Sequence, residues 1–416
     1  MFLPPLPKEV FDVSRRRMFP VDHHGDHPPA ASQHASGNGA GRVESGDGGA
    51  HSCALTAVIV ILAPLVKTKE PTLRQNLREW WDDANETQGA TRQELDVPPC
   101  VLPLLTWSLS GWQSLPWALA MEATPLGDRC GVLVISVVYR GCAIPVAWTV
   151  FPATPPHAWR KEWRRLVSLL TPAIPPTMPV IVWADRGVSA RWRFRHIVTL
   201  GWPPVLRINA GATFRPTGWY HVAWLPSVAP AEGRWGRGHG TACASRACRL
   251  ACTLPARGEP GSADPWCLLT NVPPDASDAC WSGVRAWIEQ GVTLTKRAGW
   301  QWQRPRKTDP HRAARVWLAV AVATLGLLSV GGDADAQIPE STPLDVPRSQ
   351  ASASRPRQAT RLRLVSLFRR GGGGGMVALL TGHPVPLPGT FRPEPWATIP
   401  HLFDTTIMKA SSDDAA

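Results

Sequence analysis

The chain is short of acidic residues. Asp and Glu number 32 against 44 Lys and Arg in 416 residues, leaving a formal net charge of +12. Such a surplus favours a polyanionic partner, and double-stranded DNA is the first candidate. A basic chain without such a partner is the plainer alternative. Long apolar runs are also missing. The segments 54–66 and 316–330 are apolar but too short to span a bilayer, so both are expected as buried helices and no membrane is expected as partner. The first residues hold no long apolar core, so no cleavable signal peptide is expected. No two of the 9 cysteines form a CxxC pair. That disfavours a disulfide framework and a zinc site at Cys243, Cys248 and Cys252, and leaves free thiols in a reducing cytosol. The expected location is therefore cytoplasmic. Internal repeats are absent.

What is present is concentrated between Cys280 and Pro310, in CWSGVRAWIEQGVTLTKRAGWQWQRPRKTDP. Arg285 and Lys296 stand at −4 and +7 from Glu289. At about 100° per residue these offsets share one face of a helix. A carboxylate flanked by two cations suits chemistry on a phosphate backbone, with the carboxylate on a metal and the cations on phosphates. A salt-bridged helix face is the structural alternative.

The same spacing resembles a known family. R-x3-E-x6-K is most of the Y-x2-R-x3-E-x6-K signature of bacterial insertion-sequence transposases of the DDE class. The neighbouring words WIEQG and GWQWQR are similar too, as are VVYRGCAIPVAW and ADRG further upstream. The resemblance runs from about Leu62 to Trp396. It implies an RNase H-like catalytic core that uses Mg²⁺ or Mn²⁺ to cut and rejoin DNA. The partner implied is the terminal inverted repeats of the element, bound by a homodimer. The catalytic and metal-binding carboxylates fall on Glu122, Asp185 and Glu289. Arg285, Lys296 and Arg186 fall on DNA-binding positions. Two positions depart from the family: Ser282 stands where the signature has tyrosine, and Glu122 where the first aspartate is usual. Glutamate reaches about 1.5 Å further, while Mg²⁺ demands near-ideal octahedral geometry. The departure implies impaired activity.

The pattern along the chain predicts an α/β fold: an RNase H-like mixed sheet flanked by helices, with an all-β insertion and an N-terminal helical region. Residues 1–52, rich in Pro, Gly, His and Ser, are expected to be disordered, His23, His24 and His27 included. Residues 53–115 are expected to be helical, either binding the DNA ends or capping the core. Residues 116–209 form the first part of the core. Three strands over 118–151 are followed by an amphipathic basic helix with Trp159, Trp163, Leu166 and Leu170 on one side. A strand ending at Asp185, a helix over 190–200 and a strand over 204–208 complete it. Residues 210–272 are the β-rich insertion. Residues 273–331 are two helices, the first over 279–300 carrying the signature. Residues 332–416 are a linker and irregular tail. Gly371 to Gly375 there is a run that no helix tolerates cheaply.

Three functions compete: a DNA transposase acting by two-metal hydrolysis and strand transfer, an inactive DNA-binding relic of one, and a metal-dependent nuclease. Two Mg²⁺ ions about 3.5–4 Å apart would neutralise the transition state and activate the nucleophile. Carboxylates on separate elements would hold them. Trp219, Trp235, Trp266, Trp300 and Trp302 are candidates for stacking on an unpaired base, although with 21 tryptophans most belong to the core.

Overall fold

The computed structural model describes residues 53–65, 67–83, 95–112, 117–126, 129–153, 159–178, 180–209, 211–229, 235–242, 249–258, 265–277, 284–302, 307–336, 366–383 and 391. Residues 1–52, with the histidine cluster, lie outside them, as do Cys243, Cys248, Ser282 and the ends of the C-terminal segment.

The α/β fold is present. Its centre is three long antiparallel strands, β1 (Trp117–Leu126), β2 (Cys130–Tyr139) and β3 (Cys142–Pro152). β2 and β3 are joined by Arg140–Gly141, both at positive φ (44° and 87°), a tight hairpin turn in which glycine takes the second left-handed position. β4 (Val180–Ala184) lies parallel to β1, and β5 (Pro204–Arg207) parallel to β4. Nearly every residue of these strands is buried. That explains their continuous apolar runs.

The insertion is less separate than expected. It contributes β6 (Thr213–Pro216), β7 (Ala223–Trp224), β8 (Trp235–Ala242), β9 (Leu250–Arg257) and β10 (Trp266–Leu269). β10 pairs with β5 on one side and β9 on the other, making one ten-stranded sheet in the order β3-β2-β1-β4-β5-β10-β9-β8-β6-β7.

Helices cover both faces. α1 (Leu55–Leu65) and α2 (Glu70–Trp81) form a hairpin around Ile59, Ala63, Leu73 and Leu77. α3 (Val101–Ser108) precedes the sheet. α4 (Trp159–Leu170) turns Trp163, Leu166, Val167 and Leu170 inward. Trp159, expected on the same side, is exposed and leans on Phe151. α5 (Arg191–Thr199) buries Phe194 and Ile197, and α6 (Leu225–Val228) is a single turn in the insertion.

α7 (Val284–Thr293) carries the signature and, before the expected end at 300, gives way to a π-helical turn, Leu294–Ala298. α8 (Pro310–Ala336) reaches 27 residues, past the expected end at 331. By length and composition it could cross a membrane, but 61% of its most apolar window is buried against the protein, as in a core helix. Trp148 donates its indole N–H to the Ala314 carbonyl, seating α8 on β3.

The C-terminal segment corrects an expectation. Gly371 to Gly375 lie inside a helix, α9 (Leu367–Leu380). Tertiary packing outweighs propensity here. A Cβ on Gly371 would run into the Leu327 carbonyl, and one on Gly331 into that of Leu367, so α8 and α9 meet backbone to backbone. Bare glycine at these two positions is what admits that contact, and the packing of α9 on α8 works against the roughly 1 kcal/mol that each glycine costs a helix. Asp335, 1% exposed, pairs with Arg140 at 3.2 Å and Arg370 at 3.8 Å and ties α9 to the β2–β3 turn.

Candidate active site

Side chains alternate across a strand, so parity assigns each to a face. On β1, Leu119 and Met121 join the main core, while Ala118 and Ala120 face a second cluster with Ile181, Trp183, Val205 and Leu268. Trp287 and Ile288 of α7 pack on that cluster. Glu122 continues the parity of Ala118 and Ala120, Asp185 that of Ile181 and Trp183, and position 207 that of Val205. All three therefore face α7.

Register then sets them in a row. Met121 pairs with Ala184, and Ala184 with Leu206, so Glu122, Asp185 and Arg207 follow one another across three parallel strands. Neighbouring strands lie about 4.8 Å apart. Glu289 comes from α7 above this row. An open cleft is lined by Glu122, Asp185, Glu289 and Arg207, together with Trp183, Trp266 and Ile288. Residues more than 160 positions apart in sequence thus reach one surface.

Among the described residues no three His, Cys, Asp or Glu side chains stand close enough, as placed, to grip one metal ion together. The donor set is nonetheless of the kind that suits a hard divalent cation, with carboxylate oxygens only and no thiol or imidazole. Glu289 is exposed, and the Asp185 side chain is 44% exposed, so a cation could reach both.

Two residues that sequence reasoning did not assign to the site complete it. The Arg207 guanidinium lies 3.5 Å from Asp185 Oδ1 and is itself only 7% exposed. It stacks on the Trp266 ring at 4.1 Å, which holds it in place. The available signal was parity: in the apolar strand Pro-Val-Leu-Arg, the arginine shares a face with Val205. The second is Gly291. A Cβ there would sit 2.6 Å from Ala143 Cβ on β3, so α7 lies against the sheet at that point.

Other predicted residues fare differently. Lys296 stands past the end of the regular helix that carries Glu289. It lies in the π turn and lines a neighbouring crevice with Glu122, Ser136, Gly291 and Thr295. The offset of +7 assumed an unbroken α-helix, and a π turn changes the phase. The side chain of Arg285 lies outside the described residues. Arg186 follows Asp185 in a short 3₁₀ turn, half-buried.

Of the stacking candidates, Trp302 is buried edge-to-face on Trp317, and Trp300 bonds the Thr324 hydroxyl and packs on Phe368. Both are core residues. Trp266 is in the cleft, Trp219 is exposed beyond β6, and the Trp235 side chain lies outside the described residues.

Among the described residues, Cys53, Cys100, Cys130, Cys142, Cys252 and Cys267 are free thiols. Burial pushes Cys142 up to about 12, which leaves it inert as a nucleophile.

Compared with protein-family models and with curated proteins, the sequence matches none.

Proposed function

We propose that the chain is a DDE-type DNA transposase with an RNase H-like core. It would cut and rejoin the ends of its own element by metal-dependent phosphodiester chemistry. The observation that carries this reading is the meeting of Glu122, Asp185 and Glu289, from two strands and a helix, around one open cleft. The R-x3-E-x6-K spacing and the net charge of +12 agree with it.

In this reading Glu122, Asp185 and Glu289 hold Mg²⁺ or Mn²⁺, which supplies charge neutralisation and a deprotonated nucleophile. Asp185 binds from the rim of the sheet, where its exposure keeps it open to solvent ions. Glu289 closes the site from α7. Arg207, fixed on Trp266, lends a guanidinium to the same cleft, where a phosphate oxygen could accept from it. Lys296 and Arg186 would meet phosphates at the margins. Double-stranded DNA with terminal inverted repeats is the substrate, bound by a homodimer at the nucleoid.

One observation favours a second reading, a DNA-binding relic that no longer cuts. Asp185 already faces Arg207 at 3.5 Å, and Glu122 replaces the shorter aspartate.

The test is cleavage of DNA that carries the sequences flanking the gene, in Mg²⁺ and in Mn²⁺. Asp185→Ala and Glu289→Ala are expected to abolish cleavage. Glu122→Asp is expected to raise it by on the order of a hundredfold, since about 1 Å in a reacting group costs that much. Cleavage that survives Asp185→Ala would overturn the assignment. Metal-independent DNA binding with no cutting in any variant would favour the relic.

A further inference from the structure

α4 and α5 gather far more positive charge than folding requires. Their segments, WRKEWRRLVSLL and RWRFRHIVT, hold Arg160, Lys161, Arg164, Arg165, Arg191, Arg193 and Arg195 against a single acid, Glu162. That acid is engaged within its own helix, pairing with Arg165 at 2.9 Å. Inward, the two helices pack through Trp163, Leu166, Phe194 and Ile197 on the core that holds Leu119 and Met121. By strand parity this is the face of the sheet opposite α7 and the cleft.

The charges are arranged around one indole. The guanidinium carbons of Arg160 and Arg164, both exposed, lie 5.5 and 6.0 Å from the centroid of the Trp192 ring. Arg193, buried, lies 4.8 Å from the same ring and 4.9 Å from that of Trp163. Arg195 is exposed, and its Nη2 donates to the Arg249 carbonyl at 3.2 Å. Three cations on one tryptophan repel one another. Cation–π attraction offsets part of that cost. A line of phosphates would relieve the remainder. Guanidiniums held in place on a ring are ready for bidentate contact with phosphate oxygens and lose less entropy on binding.

We propose that the α4–α5 face, through Arg160, Arg164 and Arg195, binds the phosphate backbone of duplex DNA at a surface separate from the carboxylate cleft. Binding rests on the helices alone. Its description as a second DNA segment, such as flanking or target DNA, rests on the nucleolytic reading of the cleft.

The experiment measures binding of a short random-sequence duplex to the full chain across a salt series, comparing parent, Arg160→Gln/Arg164→Gln/Arg195→Gln and Arg369→Gln. Each lost phosphate contact removes about 0.9 from the slope of log K against log salt. The triple variant is expected to flatten the slope by about 2–3 and to weaken binding at least tenfold at low salt. Arg369→Gln, which removes one exposed cation on α9 away from both surfaces, is expected to keep the parent slope. An unchanged slope in the triple variant would overturn the proposal, and so would poly-glutamate that competes as well as DNA at equal charge. Should the triple variant fold poorly, arginine modification of the parent decides: DNA is expected to protect Arg160 and Arg164, and full reactivity of both in the complex would sink the idea. A slope change without cleavage by the parent would leave this surface standing while the cleft reading fell.

Discussion

At the scale of single residues, the cleft turns on the pairing of Asp185 with Arg207. Both sit at strand ends on one parity, so the sheet forces them together whatever their chemistry. A fixed guanidinium 3.5 Å from a carboxylate oxygen competes with any cation for that carboxylate. At surface-like effective dielectric the competition is worth on the order of 1 kcal/mol or more. Arg207→Gln is therefore expected to tighten Mn²⁺ or Tb³⁺ binding by about tenfold. Tb³⁺ luminescence excited through Trp183 and Trp266, which line the same cleft, reads this directly. Equal or weaker binding in the variant would show that Arg207 positions Asp185 for the metal and does not compete with it.

At the scale of elements, α7 is the part that carries Glu289 to the sheet, and Gly291 sets how close it comes. Ala143 lies where a Cβ on residue 291 would fall, at 2.6 Å. Gly291→Ala must push α7 from β3 or distort it, an overpacking that costs about 1–3 kcal/mol. The expected result is a lower Tm together with a fall in kcat for cleavage that exceeds any rise in KM. Ala143→Gly in the same chain should restore both by returning the lost space. Failure of that rescue, with Tm recovered, would show that Gly291 serves stability without positioning Glu289. The π turn that follows has a related effect. It lets Trp300 reach Thr324 and Phe368, and in doing so carries Lys296 to the Glu122 side of the helix.

At the scale of the whole molecule, the N-terminal helical hairpin is docked on α8. Asp83 bonds Arg315 at 3.0 Å and Arg312 at 3.1 Å, while Asp82 faces Lys307 at 3.7 Å. Arg315 is 3% exposed and also donates to the Leu95 carbonyl. This favours a cap on the core over an independent DNA-binding module. The Arg315 hydrogen bond, aided by Arg312, holds the Asp83 carboxyl below its ordinary value of 3.8. A depressed carboxylate stabilises the fold above the unfolded pKa, and that stability drains away as pH falls through the folded one. The hairpin is accordingly expected to loosen below about pH 3.8, with rising protease sensitivity confined to the residues before β1. Asp83→Asn should lower Tm at neutral pH by about 2–4 °C and remove this acid step. An acid transition identical in the variant would assign it to another carboxylate.

Much of this was legible from the chain alone, because it depends on local pattern. Alternating and continuous apolar runs marked β1 to β5, helical spacing marked α4, α5 and α8, and a carboxylate at the end of an apolar strand marked Asp185. What the pattern could not contain was pairing between distant segments. Only strand register put Arg207 beside Asp185, because position 207 acquires its neighbour from β4 and its ring from β10. The helix through Gly371 to Gly375 is likewise visible only in three dimensions, where Gly371 meets the backbone of Leu327, a contact that the adverse propensity of the segment does not express. Nor does the spacing of one segment announce the π turn that ends α7 and changes the phase of Lys296 relative to Glu289. The sequence by itself determined which residues could bear the chemistry and on which elements they would lie. The tertiary structure decided which of them meet, because meeting depends on registers and interhelical distances set by contacts far apart along the chain.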